Sequence, residues 1–169
     1  MATILDSGER REFDSGAVRD IAEGKGRCDL LPLEIIARMF DLGGKDYSPL
    51  TFISIYIYTG NEDYLYRAIC NFCRTEGVDT ITMLLEVSKH YEEGAKKYAE
   101  RNWEKGIPLH CYIDSGVRHY LKHMRGDTDE RHDRAFVWNM LCAVWTQRNK
   151  PSLIDLPFAQ EESNDVDET

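Results

Sequence analysis

Glu86, His90, Glu93 and Lys97 recur at intervals of three and four residues, with Glu92 just off that stripe. Downstream, Glu130 and Asp133 stand three apart with Asp129 beside them. At helical pitch such spacing brings side chains onto one face. Carboxylates gathered from two helices repel one another unless a cation lies between them, so the pattern predicts a metal centre held by Glu86, Glu93, Glu130 and Asp133. Hard oxygen ligands suit Mg2+ or Mn2+, which complete their shells with phosphate oxygens and water, and this makes a triphosphate the natural substrate. Ions so placed would polarise a phosphoryl group, activate a water and neutralise departing pyrophosphate. Glu92 or Glu93 is the expected acceptor of the water's proton, and Glu130 joins them in the catalytic set. The plainer alternative for each acid is a solvated helix face, and Asp129 and Glu130 would also suit the positive end of a helix dipole.

Positioning these groups falls to three successive helices. Ile81, Leu84, Leu85, Ser88, Tyr91, Ala95 and Tyr98 predict an amphipathic helix from Asp79 to about Ala99. After the loop 101–109, a second helix is expected over 111–124 with Ile113, Val117, Tyr120, Leu121 and Met124 as its apolar stripe. Gly126-Asp127-Thr128 supplies a turn and cap, and a third helix runs over 129–147 with Phe136, Met140, Ala143 and Val144 buried. Upstream, Asp29 caps a helix bearing Leu33, Ile36, Ala37 and Phe40 that stops at Gly43-Gly44. The run Thr51 to Tyr58 (TFISIYIY) has strand propensity but no evident partner strand, so it reads better as a buried helix or irregular segment. Leu65, Ala68, Ile69 and Phe72 give helical spacing over 62–76. Long helices joined by short loops make the expected fold an all-α bundle.

Composition narrows the setting. The chain has 169 residues, 42% of them hydrophobic and 30% charged, which fits one globular domain over 1–159 with an extended arm (1–29) and a solvated, disordered acidic tail (160–169). No run of about 20 apolar residues could span a bilayer, and no export signal opens the sequence, so a cytoplasmic location is expected. Five cysteines, an odd number, read as reduced thiols, and the Cys70/Cys73 pair lacks the further ligands a zinc site needs. The net charge of −9 argues against wrapping a nucleic acid, yet a triphosphate can bind an acidic pocket through intervening metal ions.

Four blocks in order carry a more specific signal: FDSGAVRDIAEGKGRCDLLP (13–32), HYEEGAKKYAERNWEKGIP (90–108), YIDSGVRHYLKHM (112–124) and GDTDERHDRAFVWN (126–139). They resemble the phage and bacterial dATP/dGTP diphosphohydrolases of the all-α MazG-like pyrophosphatase superfamily. The resemblance implies a four-helix architecture assembled as a dimer or tetramer. It also implies Mg2+- or Mn2+-dependent hydrolysis of dGTP, dATP or related purine triphosphates to monophosphate and pyrophosphate, in the service of phage purine deoxynucleotide supply, diaminopurine included. The superfamily signature is Glu-Glu-x-x-Glu on one helix and Glu-x-x-Asp on a later one. The second half stands here as Glu130 to Asp133, whereas Glu92-Glu93 is followed by Lys96 in place of the third Glu. Stripe geometry therefore pairs Glu86 with Glu93, and the motif pairs Glu92 with Glu93. The segment 43–80 has no counterpart in these blocks and reads as an insertion.

In the same picture Lys25 and Arg27, set between glycines, and Lys96, Lys97 and Arg118 are candidates for phosphate contact. Asn102 and Trp103 are candidates for the base, and Asn139, a polar group in an apolar run, requires a ligand, metal-bound water or backbone partner. Two rival readings remain. His132-Asp133 with His119 and His123 upstream resembles the HD phosphohydrolases, which release intact triphosphate. A small acidic helical protein could also act purely by binding.

Overall fold

A computed structural model of the chain describes residues 10–20 and 47–159. The expected helix after Asp29, the candidates Lys25 and Arg27, and the acidic tail lie outside the described residues. Within the stretch read as an extended arm, Arg10–Glu12 (β1) and Val18–Asp20 (β2) pair antiparallel, with Arg11 opposite Arg19. Gly16, at φ +74°, makes the tight turn that lets Phe13 N–H reach Ala17 O. The hairpin is docked, since Ala17 is buried, Ser15 Oγ donates to Gly106 O and Lys105 Nζ donates to Gly16 O at 2.9 Å.

All other regular structure among the described residues is helical. The run TFISIYIY lies in α1 (Pro49–Thr59), which proline starts at its first turn and Gly60, at φ +65°, ends. Leu50, Ile53, Tyr56 and Ile57 are buried from it, so tertiary burial overrides the β-propensity of its residues. In α2 (Asp63–Thr75) Leu65, Ala68, Ile69, Phe72 and Cys73 face the core, and Cys70 is exposed. These two helices are part of the main body: Tyr56 Oη donates to Gln147 Oε1 at 2.7 Å, and Arg148 binds the Glu62 carboxylate.

The three long helices follow. Asp79 caps α3 (Thr80–Tyr98) by accepting from Thr82 N–H at 2.9 Å. Its buried face differs from the expected stripe, because Met83 and Val87 are buried while Ile81, Leu84, Leu85 and Ser88 are exposed. The first two turns carry apolar residues on two faces, and the core of this chain selects the face in phase with Tyr91. Helix α4 (Leu109–Arg125) buries Ile113, Val117 and Tyr120 and ends at Gly126, left-handed at φ +86°, leaving Met124 in solvent. Helix α5 (His132–Asn149) begins three residues later than expected, which leaves Asp129 and Glu130 in the connection before it, and buries Phe136, Met140, Ala143 and Val144. α5 is the central element, packed on α4, α3 and α2. Gly116 permits a close α4–α5 approach: a Cβ there would lie 2.3 Å from Met140 Cε and 3.3 Å from Asn139 Cβ.

Candidate functional site

Where α3 crosses the start of α5, the expected acids meet arginines. Arg134, almost completely buried, donates from one terminal nitrogen to both Glu93 oxygens at 2.7 Å. Arg131 grips Asp133 through Nε (3.0 Å) and a terminal nitrogen (2.6 Å), and its other terminal nitrogen reaches Glu86 at 3.3 Å. Lys89 also donates to Glu86. The carboxylates of Glu86, Glu93 and Asp133 thus stand beside Lys89, Arg131 and Arg134, a neutral patch that spans two helices. The Lys89 hydrogen bond, with Arg131 and Arg134 behind it, holds the Glu86 carboxyl below its usual range. Burial pushes Asp133 up, but Arg131 and the Arg134 N–H outweigh it and leave the group ionised at lower pH than usual.

Glu130 has other neighbours. Its carboxylate lies 3.5 Å from His119 Nδ1 and 3.6 Å from His132 Nδ1, and these two ring nitrogens are 2.9 Å apart. On its opposite edge His132 Nε2 is 2.7 Å from Asp129, whose carboxyl is drawn down to about 2 by this bond and by Lys122. Burial, together with the adjoining His132, keeps His119 neutral at pH values where a solvated imidazole is charged. Among the described residues, ligand atoms converge in two groups, His119 with Glu130 and His132, and Asp127 with Asp129 and His132. Glu86, Glu93 and Asp133 are linked through arginine rather than gathered round one point.

Beyond the acids lies an aromatic wall. Trp103 packs edge-on against Trp145 and Tyr91, and Trp138 against Tyr91, Tyr112 and His90. Burial in this wall, with Arg134 and Arg19 nearby, lowers the His90 pKa to about 4. The hairpin closes it: Arg19 lies over the Tyr112 and Trp138 rings and donates to Asn139 Oδ1 at 2.8 Å. Asn139 Nδ2 donates to Ala135 O, so the partners this buried amide requires are the α5 backbone and Arg19. Asn102 Nδ2 donates to Val18 O at 3.2 Å, its Oδ1 is buried without a hydrogen bond, and Trp103 is half-buried.

The remaining candidates lie apart from these groups. Glu92 and Lys96 pair with each other on the exposed side of α3. Lys97 sits over the Tyr98 ring, and Arg118 donates to Asp114 one turn earlier on α4. Arg131, Arg134, Arg19 and the His119/His132 pair carry much of the site, and spacing gives little notice of the arginines. Arg134 and Glu93 are 41 positions apart, and no local pattern joins them.

The donor set fits hard divalent ions in kind, since carboxylate oxygens dominate it. Glu86, Glu93 and Asp133 already have cationic partners, so an ion there would enter in exchange for a guanidinium. No helix among the described residues is long and apolar enough to cross a membrane. Residues 73–155 match the family described as dATP/dGTP diphosphohydrolase, N-terminal. No curated protein and no solved structure matches the chain. The match runs from the last turn of α2 to just beyond α5 and contains every acid, arginine and histidine of the site except Arg19. Through residues 73–155, just under half of its length, the chain is similar to the dATP/dGTP diphosphohydrolase N-terminal family.

Proposed function

We propose that the chain is a metal-dependent pyrophosphohydrolase that converts dGTP, and with it dATP or GTP, to the monophosphate and pyrophosphate, serving phage purine deoxynucleotide supply that includes diaminopurine. The observation that carries this reading is the arginine-bridged acid patch of Glu86, Glu93, Arg131, Asp133 and Arg134, lying inside the family match. Glu86, Glu93, Asp133 and Glu130 would hold Mg2+ or Mn2+, which when bound polarise the phosphoryl group and acidify a water. The guanidinium groups exchanged by the ions are then placed to receive phosphate oxygens, to which their planar fork is matched. Glu93, once parted from Arg134, is the carboxylate suited to take the proton of the attacking water, with Glu92 its neighbour on the outer side of α3. Trp103 and Asn102, with its buried unbonded Oδ1, offer stacking and hydrogen bonding to a base at the foot of the aromatic wall. Lys25, Arg27, Lys97 and Arg118 are assigned to phosphate, with Lys96 at the rim.

The HD-type reading has less support, because the two side chains of its dipeptide diverge: His132 turns to Asp129 and His119, and Asp133 to Arg131. We further propose that the protein works as a dimer or tetramer, with the exposed Ile81, Leu84 and Leu85 at the start of α3 providing apolar surface for a second copy. A monomer by light scattering at assay concentration removes that part. The activity is tested by assaying the four common deoxynucleoside triphosphates and GTP with Mg2+, with Mn2+ and with a chelator. Metal-dependent turnover of the purine nucleotides supports the reading, whereas full activity in chelator, or none on any nucleotide, refutes it.

A further inference from the structure

We propose that His119, His132 and Glu130 form a binding site for a divalent transition-metal ion, Zn2+, Co2+ or Mn2+, set apart from the carboxylate patch by its nitrogen ligands. His119 Nδ1, His132 Nδ1 and Glu130 Oε1 form a triangle with sides of 2.9, 3.5 and 3.6 Å. Three atoms so spaced lie on a circle of radius about 1.9 Å, so a point about 0.8 Å off their plane is ~2.1 Å from all three, the bond length such ions make to imidazole and carboxylate. The three-ligand set leaves the remaining coordination positions for water or a phosphate oxygen.

The proton inventory agrees. The ionised Asp129 carboxylate can only accept, so His132 Nε2 carries the hydrogen of their 2.7 Å contact and the Nδ1 lone pair faces His119 and Glu130. A ligating histidine characteristically has this arrangement: one nitrogen on the metal and the other donating to a carboxylate that fixes the tautomer. The His132 side chain is only 1% exposed, so its ring is held by packing as well. Two imidazoles select the later divalent ions over Mg2+, which prefers an oxygen shell. The site does not depend on the pyrophosphohydrolase reading, although Glu130 serves in both.

Co2+ titration of the full-length chain, followed by its visible ligand-field absorption and by competition with a metallochromic indicator, tests the proposal. Wild type should bind one equivalent that excess Mg2+ does not displace. His119→Gln and His132→Gln should each weaken binding at least ~10-fold, and Asp129→Asn should weaken it about 10-fold by replacing the charged acceptor of the His132 Nε2 hydrogen bond with a neutral amide. Because His132 is buried, circular dichroism checks the fold of that variant, and the more accessible His119→Gln carries the test if it fails. No Co2+ bound by wild type, or equal affinity in His119→Gln, overturns the site. Loss on Asp127→Asn with His119→Gln unaffected also overturns it, by moving the ion to the opposite edge of His132. Mg2+-supported dGTP hydrolysis is read on the same wild-type sample. Hydrolysis without Co2+ binding removes only this site, and Co2+ binding without hydrolysis removes only the proposed activity.

Discussion

The two acids before and at the start of α5 have different surroundings yet share an expected consequence. Glu130→Gln and Asp133→Asn should each lower kcat on dGTP by at least ~100-fold, as expected for loss of a group that acts in the transition state, while the melting temperature changes little because neither is a core residue. Activity within a fewfold of wild type in both would detach these acids from the reaction. Arg134 differs, since it is almost completely buried against Glu93. Arg134→Leu strands that carboxylate and should cost about 3 kcal/mol in a urea melt, and adding Glu93→Leu should recover part of the loss. A double variant no more stable than Arg134→Leu would mean that the two side chains are not coupled. Glu86, Glu93 and Glu130 were legible from the sequence because carboxylates at helical spacing are conspicuous there. Their partners were not, because Arg134 lies 41 positions from Glu93 and 45 positions separate Arg131 from Glu86. Residues so far apart meet only through the crossing of α3 and α5.

At the scale of elements, α2 and α5 are readable because apolar residues at 3.6-residue spacing are buried as that spacing requires. In α2 the four expected residues, and in α5 Phe136, Met140, Ala143 and Val144, are all in the core. The buried face of α3 differs from the apolar stripe for a physical reason: its first two turns are apolar on two faces, and periodicity does not say which face meets α5. The helical form of TFISIYIY depends on burial against α2 rather than on propensity, so sequence narrowed it only to a buried helix or irregular segment. The α4–α5 contact makes Gly116 sensitive. Gly116→Ala pushes against Asn139 Cβ, which cannot move without α5, and should cost about 1–3 kcal/mol in a thermal or urea melt despite alanine's better helix propensity. An unchanged or raised stability would show that the helices can separate without cost. His90 ties α3 to the wall of α5, and its folded pKa of about 4 lies below the ordinary 6.5. The unfolded chain therefore takes up a proton that the fold refuses. Its contribution is complete above pH ~6.5 and is lost as the pH falls to ~4, up to about 3 kcal/mol. The partly buried His119 acts in the same direction. His90→Phe should thus flatten the decline in melting temperature between pH 7 and pH 4.5, and an undiminished slope would assign it to other groups.

Taken whole, the molecule is a helical body whose central α5 carries one half of each polar group while α3, α4 and the α4–α5 connection bring the other. The hairpin seals the aromatic side through Arg19, a role that the polar, Gly-containing composition of this arm does not announce. The central claim is chemical, that this assembly cleaves a purine deoxynucleoside triphosphate between its α and β phosphates. Its most direct measurement is ion-exchange chromatography of a dGTP digest made by the full-length chain with Mg2+ or Mn2+. Equal amounts of dGMP and pyrophosphate are predicted, and deoxyguanosine with intact triphosphate would contradict the account.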